Sequence, residues 1–287
     1  MVGSAFSRIN TQHELGLVGS RDFNLIDPSG SGDMLSTHQP DCIIHLAARV
    51  GGIKANPDSP AAFYKDNVLI NTNVLESAHR FGVKKVLSLM STCVYPDSAE
   101  LPLKESSLHL GVPHESNFGY AYAKRMLDVQ SRAYRKQYGC NFVTAIPTNL
   151  FGENDNFDLK NSHVIPAIIR KMYEARSLGE NVVLWGDGSP LREFTYSSDL
   201  ASALIFVLEN YDDSEPINVG NCKEHSIKEI AEAVAKTIGF TGNIRWDSSM
   251  PNGQIRKPSD NSKLIRLGWK KESFTDMHEG LRRTCGW

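Results

Sequence analysis

The stretch from residue 41 to residue 90 decides the fold. It opens with DCIIHLAA (41–48), ends with KVLSLM (85–90), and carries apolar side chains at helical spacing from Phe63 to Phe81. Short apolar runs bounded by Pro or Gly are typical of strands that are buried on both faces. Gly82 ends the helix just before the second run. A strand, a helix and a strand at this spacing predict a parallel sheet with a right-handed crossover.

The same alternation continues to residue 150. A helix is predicted from Tyr120 to Tyr138 with Gly139 at its end, and FVTAI (142–146) is predicted as a strand that Pro147 cuts off. These elements predict an α/β fold with a Rossmann-like, doubly wound parallel sheet. Such sheets bind ligands at the carboxyl ends of their strands.

The pattern changes after about Leu150. Residues 151–160 are typical of a loop, and Ser226 with Glu229 forms a capping-box pattern before a helix that runs to Ile238. Short strands are predicted at 182–185, 216–219 and 243–246. We therefore expect a Rossmann-like dinucleotide-binding domain over residues 1–150, and mainly a smaller α/β substrate-binding lobe over residues 151–287.

The chain begins where the first helix of such a domain would begin. A doubly wound nucleotide-binding unit opens with a strand and a glycine-rich turn, whose backbone N–H groups approach a pyrophosphate. The opening MVGSAF (1–6) contains only Gly3 as a candidate for that turn, and we therefore expect the fold to lack that first strand. On their own, these residues are equally consistent with an ordinary N-terminal helix.

Charge and composition exclude several classes of protein. Lys and Arg number 31 against 33 Asp and Glu, a net charge of −2 that argues against nucleic acid or an anionic membrane as a partner. Apolar runs fall short of the roughly 18 residues of a membrane span, and no leader pattern opens the chain. The five scattered cysteines favour neither a disulfide framework nor a metal site. We expect a soluble, cytoplasmic protein.

The clearest chemical signal is YAYAK (120–124) on a helix, with Ser91 just after the preceding buried strand. Tyr120 and Lys124 lie four residues apart and so share a helical face. The ammonium is expected to lower the pKa of the phenol, making Tyr120 a proton donor to a carbonyl oxygen that Ser91 also contacts. The competing interpretation is a buried Tyr beside a solvated Lys.

Cys93 and His163 are residue types that can exchange a proton near neutral pH. Taken alone, Cys93 is more simply a core thiol and His163 a structural histidine.

Several longer motifs are shared with one family. They are HLAARVGG (45–52), STCVYP (91–96), NFGYAYAKRM (117–126), PTNLFG (147–152) and HVIP (163–166). With Ser91, Tyr120 and Lys124, they make the chain resemble the GDP-L-fucose synthase family of extended short-chain dehydrogenase/reductases, along its whole length. The resemblance implies an NADPH-dependent homodimer that epimerises C3 and C5 of GDP-4-keto-6-deoxy-D-mannose and then reduces C4.

The resemblance also implies a role for individual residues. Cys93 is the base, His163 is the acid, and Ser91, Tyr120 and Lys124 polarise the ketone. The implied NADPH-binding residues are Gly3, Arg21, Asn24, Leu25, Leu89, Met90, Lys124, Pro147, Asn149, Leu150 and His163. The implied residues for the GDP-sugar are Lys171, Trp185, Arg192 and Lys257.

The short N-terminus leaves alternatives open. One is a truncated, non-catalytic form that binds a GDP-sugar, because most of the pyrophosphate cradle is absent from the sequence. Another is a different nucleotide-sugar epimerase or dehydratase with the same Ser, Tyr and Lys. Cys93 and His163 together favour the epimerase/reductase.

Overall fold

The computed structural model describes residues 1–51, 55–250 and 252–287; Gly52 of the shared motif lies outside them. The α-helices in these ranges are α1 (Val2–Ala5), α2 (Pro28–His38), α3 (Ala55–Asp58), α4 (Pro60–Arg80), α5 (Phe118–Tyr138), α6 (Val164–Leu178), α7 (Ser197–Asn210), α8 (Ile227–Ile238), α9 (Ser262–Leu267) and α10 (Met277–Gly286). The strands are β1 (Cys42–His45), β2 (Lys85–Leu89), β3 (Phe142–Pro147), β4 (Asn149–Phe151), β5 (Val182–Trp185), β6 (Leu191–Tyr196), β7 (Ile217–Val219), β8 (Glu224–Ser226) and β9 (Ile244–Asp247).

The first sheet is parallel, with the strand order β1-β2-β3-β7. Three of its strands and the crossover helices α4 and α5 lie where the sequence predicts them. The expectation that residues 216–219 belong to the second lobe is wrong, because β7 pairs with β3 through Ile217 opposite Ala145. The first sheet thus takes a strand from the second half of the chain, and the division at residue 150 stays a prediction.

Both faces of the first sheet are covered, which confirms the doubly wound arrangement. Val86 of β2 packs in a core with Leu75 of α4 and Leu127 of α5. The next residue, Leu87, faces the other side and packs in a core with Leu200 of α7. Alternation of this kind places a buried strand between two helical layers.

The start of α5 is held close to the start of α4. A Cβ on Gly119 would stand 2.7 Å from the carbonyl oxygen of Pro60, nearer than any side-chain carbon can approach. Glycine is therefore required directly before Tyr120. The far end of α5 is capped by Gly139 at φ 72°, as the sequence predicts.

The remaining strands form two further sheets, β4-β6-β8 and β5-β9, which share a core with α6, α8 and α10. This core packs Phe151, Met172, Phe194, Val234 and Leu281 from β4, α6, β6, α8 and α10. The prediction of a loop over residues 151–160 is wrong at its first residue, because Phe151 is the last residue of β4 and pairs with Tyr196 of β6. The capping box of Ser226 and Glu229 is confirmed at the start of α8.

The N-terminal residues form a helix, α1, which packs against α7. Within the described residues β1 is an edge strand of the first sheet, and residues 21–26 form turns and coil. No helix in the described part of the chain is both long enough and apolar enough to cross a membrane.

Candidate active site

Ser91, Cys93, Tyr120 and Lys124 converge at the carboxyl edge of the first sheet. Ser91 follows β2, Cys93 lies in the 3₁₀ turn Thr92–Val94, and the other two lie in the first turns of α5. Lys124 is 2% exposed and its Nζ donates to the carbonyl oxygen of Leu89 at 2.8 Å. This hydrogen bond fixes α5 against the end of β2.

A neutral histidine lies behind the ammonium. His45 Nε2 and Asn71 Oδ1 are 3.1 Å apart, and the Asn71 amide N–H donates to the carbonyl oxygen of Ala123. Asn71 Oδ1 must then accept, so Nε2 carries the proton. Burial, then the charge of Lys124, lowers the pKa of His45 to about 3, and burial lowers the pKa of Lys124 to about 8. Below about pH 8, Lys124 carries the charge of this pair.

Tyr120 is held in its protonated form. Burial, and then the neighbouring Cys93, raises the pKa of its phenol above the usual value. The sequence-based expectation of a lowered pKa is wrong, because burial dominates and the Lys124 ammonium is directed to the carbonyl oxygen of Leu89. A phenol that keeps its proton can donate it, so the raised pKa is consistent with Tyr120 as the proton donor to a carbonyl oxygen.

Cys93 opens into a small pocket of about 30 Å³, whose polar lining includes His114, Asn117, Gln254 and Lys257. Burial raises the pKa of the thiol, while Lys257 and then the Ser91 hydroxyl lower it. Asn117 Oδ1 is buried with no hydrogen-bond partner in the described structure. The pocket therefore offers both a thiol and an unused acceptor to a polar ligand.

His163 lies at the start of α6, where it is exposed, and it does not line the pocket at Cys93. Its charged neighbour is Asp155, whose pKa is raised by burial and lowered in part by His163. Asp155 Oδ2 and Ser162 Oγ are buried without hydrogen-bond partners in the described residues. A ligand that extends from Cys93 to His163 could therefore form hydrogen bonds with Asp155 and Ser162 beside the histidine.

The residues expected to bind the dinucleotide fall into two groups. Leu89, Met90 and Pro147 are buried at strand ends, and Leu150 is half-buried in β4. Asn149 is half-buried there too, and its amide N–H donates to the carbonyl oxygen of Glu193.

The second group lies at and before α2. Arg21 and Asn24 are exposed, Leu25 is half-buried, and the carbonyl oxygen of Leu25 accepts from Asn73 of α4. Gly3 is exposed in α1, with no atom within 4 Å of where a Cβ would stand.

These groups fit a nicotinamide dinucleotide by their chemistry. Within the described residues, one N–H of the Lys124 ammonium is used, by Leu89, and the other two can bind ribose hydroxyls. Leu89, Met90 and Pro147 give the strand ends an apolar surface suited to a nicotinamide ring. Lys124, together with these apolar strand ends, would hold the nicotinamide half of the cofactor.

The residues expected to bind the GDP-sugar are also split. The Lys171 ammonium lies 5.7 Å from the ring centre of Trp185 and donates to the carbonyl oxygen of Val183. Arg192 is half-buried, and burial lowers its pKa. Lys257 lies beside Cys93 and Arg192, since both affect its pKa. Lys171 with Trp185 thus forms one cationic, aromatic surface, and Lys257 with Arg192 forms another near the thiol.

Sequence reasoning missed Glu193, His114, Asn117 and Gln254. Glu193 is 1% exposed, and its carboxylate accepts hydrogen bonds from Ser259, Asn261 and the backbone N–H of Cys222. Its partners lie 29 to 68 residues away in sequence. Because these partners are distant in the sequence, residue spacing does not predict that Glu193 holds residues 259–261 in place.

Comparisons with known proteins find the same family by sequence and by structure. Residues 4–220 match the model of the "NAD dependent epimerase/dehydratase family". GDP-L-fucose synthase 1 of Arabidopsis thaliana is 42% identical over 100% of this chain and 90% of that protein. The crystal structure of a GDP-L-fucose synthetase from Naegleria fowleri bound to NADP is 38% identical, with a TM-score of 0.94 over 100% of this chain and 90% of that one. A GDP-6-OMe-4-keto-L-xylo-heptose reductase from C. jejuni is 28% identical, with a TM-score of 0.91 over 100% of this chain and 94% of that one.

Proposed function

This chain belongs to the NAD dependent epimerase/dehydratase family and, within it, to the GDP-L-fucose synthases, and from that premise we propose how its residues work. The activity is the NADPH-dependent conversion of GDP-4-keto-6-deoxy-D-mannose to GDP-L-fucose, by epimerisation at C3 and C5 and reduction at C4. The observation that supports the residue roles best is that Ser91, Cys93, Tyr120 and Lys124 meet at one sheet edge.

In the epimerisation, Cys93 takes the proton from the carbon beside the ketone, and His163 supplies a proton to the opposite face. Loss of that proton puts negative charge on the C4 oxygen, so this step needs donors at the carbonyl. Ser91 and Tyr120 provide two hydroxyl groups for it. Cys93 lines the pocket and His163 lies outside it, so the base and the acid are on different parts of the site.

In the reduction, a bound NADPH, which Lys124 and the apolar strand ends would hold, would supply the hydride for C4. Tyr120 gives its phenolic proton to the C4 oxygen, and Ser91 keeps its hydrogen bond to that oxygen. Lys124 holds the ribose hydroxyls of the cofactor and keeps a positive charge near the oxygen. Because α5 is locked to β2 by the bond from Lys124 to Leu89, these donors are held in place before the substrate binds.

We expect turnover when the purified chain receives NADPH and GDP-4-keto-6-deoxy-D-mannose. NADPH oxidation is followed by absorbance and the sugar product is identified by NMR. One GDP-L-fucose should form for each NADPH consumed. Folded protein that oxidises no NADPH would contradict the residue roles. A product that is reduced at C4 but not inverted at C3 and C5 would contradict the roles in epimerisation and keep those in reduction.

The protein works as a homodimer in the cytoplasm under this proposal, and an exposed apolar surface supports the dimer. Tyr64 of α4 and Tyr122, Met126 and Val129 of α5 are exposed; Val129 is 55% exposed. Tyr64 Oη lies 3.7 Å from Met126 Sδ, so the surface runs across both helices. Exposed apolar surface of this kind marks a protein interface.

Met126→Asp is expected to convert the dimer to a monomer, because it puts a charge at the centre of this surface. Light scattering after size-exclusion chromatography should give half the wild-type mass. Leu178→Asp is the control, since Leu178 is an exposed residue at the end of α6. A wild-type protein that elutes with the mass of one chain would refute the dimer.

A further inference from the structure

Residues 252–261, here called the strap, pass over the pocket at Cys93. Three ties hold it: Gln254 donates to Asp97 at 2.7 Å, Arg256 pairs with Glu224, and Ser259 with Asn261 binds the buried carboxylate of Glu193. One tie therefore reaches the loop after β2, and two reach β6 and β8. The strap is fixed on both sides of the pocket.

Lys257 lies between these ties and is not one of them. It lines the pocket together with Cys93, and it is half-buried. Among the residues that the structure describes, its Nζ takes part in no hydrogen bond or ion pair. Asp97 acts on this ammonium electrostatically, after Cys93, but no carboxylate of the described residues is in ion-pair contact with it. An ammonium held this way, with its solvation reduced, favours a nearby anion.

The other cations near Cys93 are committed elsewhere. From α5, Lys124 donates to the carbonyl oxygen of Leu89, and Arg125 donates to those of Val94 and Gly111. From the strap, Arg256 pairs with Glu224. The uncharged neighbours are the Ser91 hydroxyl and the Tyr120 phenol, and His114 and Asp97 line the same pocket. Arg192 of β6 also lies beside Lys257, and its guanidinium donates to the carbonyl oxygen of Leu191. Among the residues that the structure describes, Lys257 is thus the one of these cations whose N–H groups have no acceptor.

We propose that Lys257 is the counter-ion of Cys93, a positioning residue that makes the thiol a base by stabilising its thiolate. This inference rests on the proposed function, in which Cys93 is the base. The thiol first releases its proton to solvent; the thiolate then takes a proton from the sugar carbon, and the thiol is restored. The negative charge formed on sulfur stays beside the Lys257 ammonium until the sugar proton arrives.

The electrostatics of the pair point in the same direction. Burial raises the pKa of Cys93, and the charge that opposes it most is that of Lys257. Burial lowers the pKa of Lys257, and Cys93 is the first of the charges that raise it. Each group therefore favours the charged form of the other. Glu193 and Glu224 contribute by holding the strap where this contact exists.

The test is the pH dependence of alkylation of Cys93 by iodoacetamide, read from the Cys93 peptide by mass spectrometry. The reagent reacts with thiolate, so the rate reports the ionised fraction. For Lys257→Met we expect the inflection to move up by about one pH unit, and the rate at neutral pH to fall about tenfold. Lys257→Arg should keep the wild-type inflection, because it keeps the charge.

Arg170→Met is the control, since it removes an exposed cation that pairs with Glu174 on α6 and does not line the pocket at Cys93. Its Cys93 profile should overlay that of the wild type. The half-buried Cys140 and Cys285 report on folding in the same digest, and their rates should not change. An unmoved inflection in Lys257→Met, an equal shift in Arg170→Met, or a wild-type Cys93 that reacts only above pH 9 would each overturn the proposal.

The readout needs neither cofactor nor substrate, so the two levels of inference fail separately. A Lys257-dependent profile in a protein that shows no turnover would support the ion pair and contradict the proposed function. Turnover with a profile that does not depend on Lys257 would keep the function and overturn the ion pair.

Discussion

Cys93→Ser is expected to remove epimerisation and to spare reduction. A serine hydroxyl fits the space of the thiol but ionises far less readily, so no base of useful strength remains at the pocket. Loss of a positioned base costs about 10²–10⁴ in rate. Tyr120, Lys124 and Ser91, which serve the C4 oxygen, are unchanged, so an already epimerised ketone should still be reduced at close to the wild-type rate.

Two assays separate the steps. Exchange of the C3 and C5 hydrogens with deuterated water, followed by NMR, reports the base without any hydride transfer. NADPH oxidation with the epimerised 4-keto sugar reports reduction alone. Cys42→Ser is the control, because Cys42 is an exposed cysteine at the start of β1. Equal loss of exchange and reduction in Cys93→Ser would show that Cys93 supports the shape of the site and is not the base.

The elements that carry the reductive half of the site could be predicted from local sequence. β2 is a short, mostly apolar run that is buried along its length, and α5 is bounded by Asn117 and Gly139, so residues near in sequence define both elements. Ser91 and the pair Tyr120 and Lys124 follow from these elements because parallel strands bring their carboxyl ends to one edge. The placement of those residues in one site was therefore predictable.

The partner of a strand was less predictable than the strand itself. Residues 217–219 were identified as a strand, yet their place beside β3 depends on a contact with residues 145–147, about 70 positions earlier. β4 and β6 were missed for the same reason: β4 has three residues, and its stability comes from pairing with a strand some 45 residues away. No local period in the sequence encodes either pairing.

The pKa shifts and charge contacts of the site could not be predicted from the sequence. The spacing of Tyr120 and Lys124 correctly puts both on one helical face, but it does not show that the ammonium donates to Leu89 or that burial raises the pKa of the phenol. The contact between the strap and Cys93 joins residues more than 160 positions apart. Burial and long-range contact decide the charge of these groups, and neither can be read from residue spacing.

Tyr120→Phe is expected to stop reduction while leaving the fold intact. The ring keeps its edge-on contact with Phe63, whose centre lies 6.5 Å away, so packing changes little. The substitution removes the phenolic O–H group, which is protonated at neutral pH because burial raises the pKa of Tyr120. Removing a positioned general acid costs about 10²–10⁴ in rate, and we expect kcat for NADPH oxidation to fall by that factor.

The same substitution should affect the first half of the reaction less. Ser91 still donates to the C4 oxygen during epimerisation, so deuterium exchange at C3 and C5 should fall by about 10- to 100-fold, the value of one hydrogen bond to a charged oxygen. Tyr138→Phe is the matched control, because Tyr138 lies exposed at the far end of the same helix. If Tyr120→Phe reduces the ketone at the wild-type rate, water or another side chain supplies the proton. If it loses exchange and reduction equally, the phenol serves chiefly to hold the ketone in both halves of the reaction.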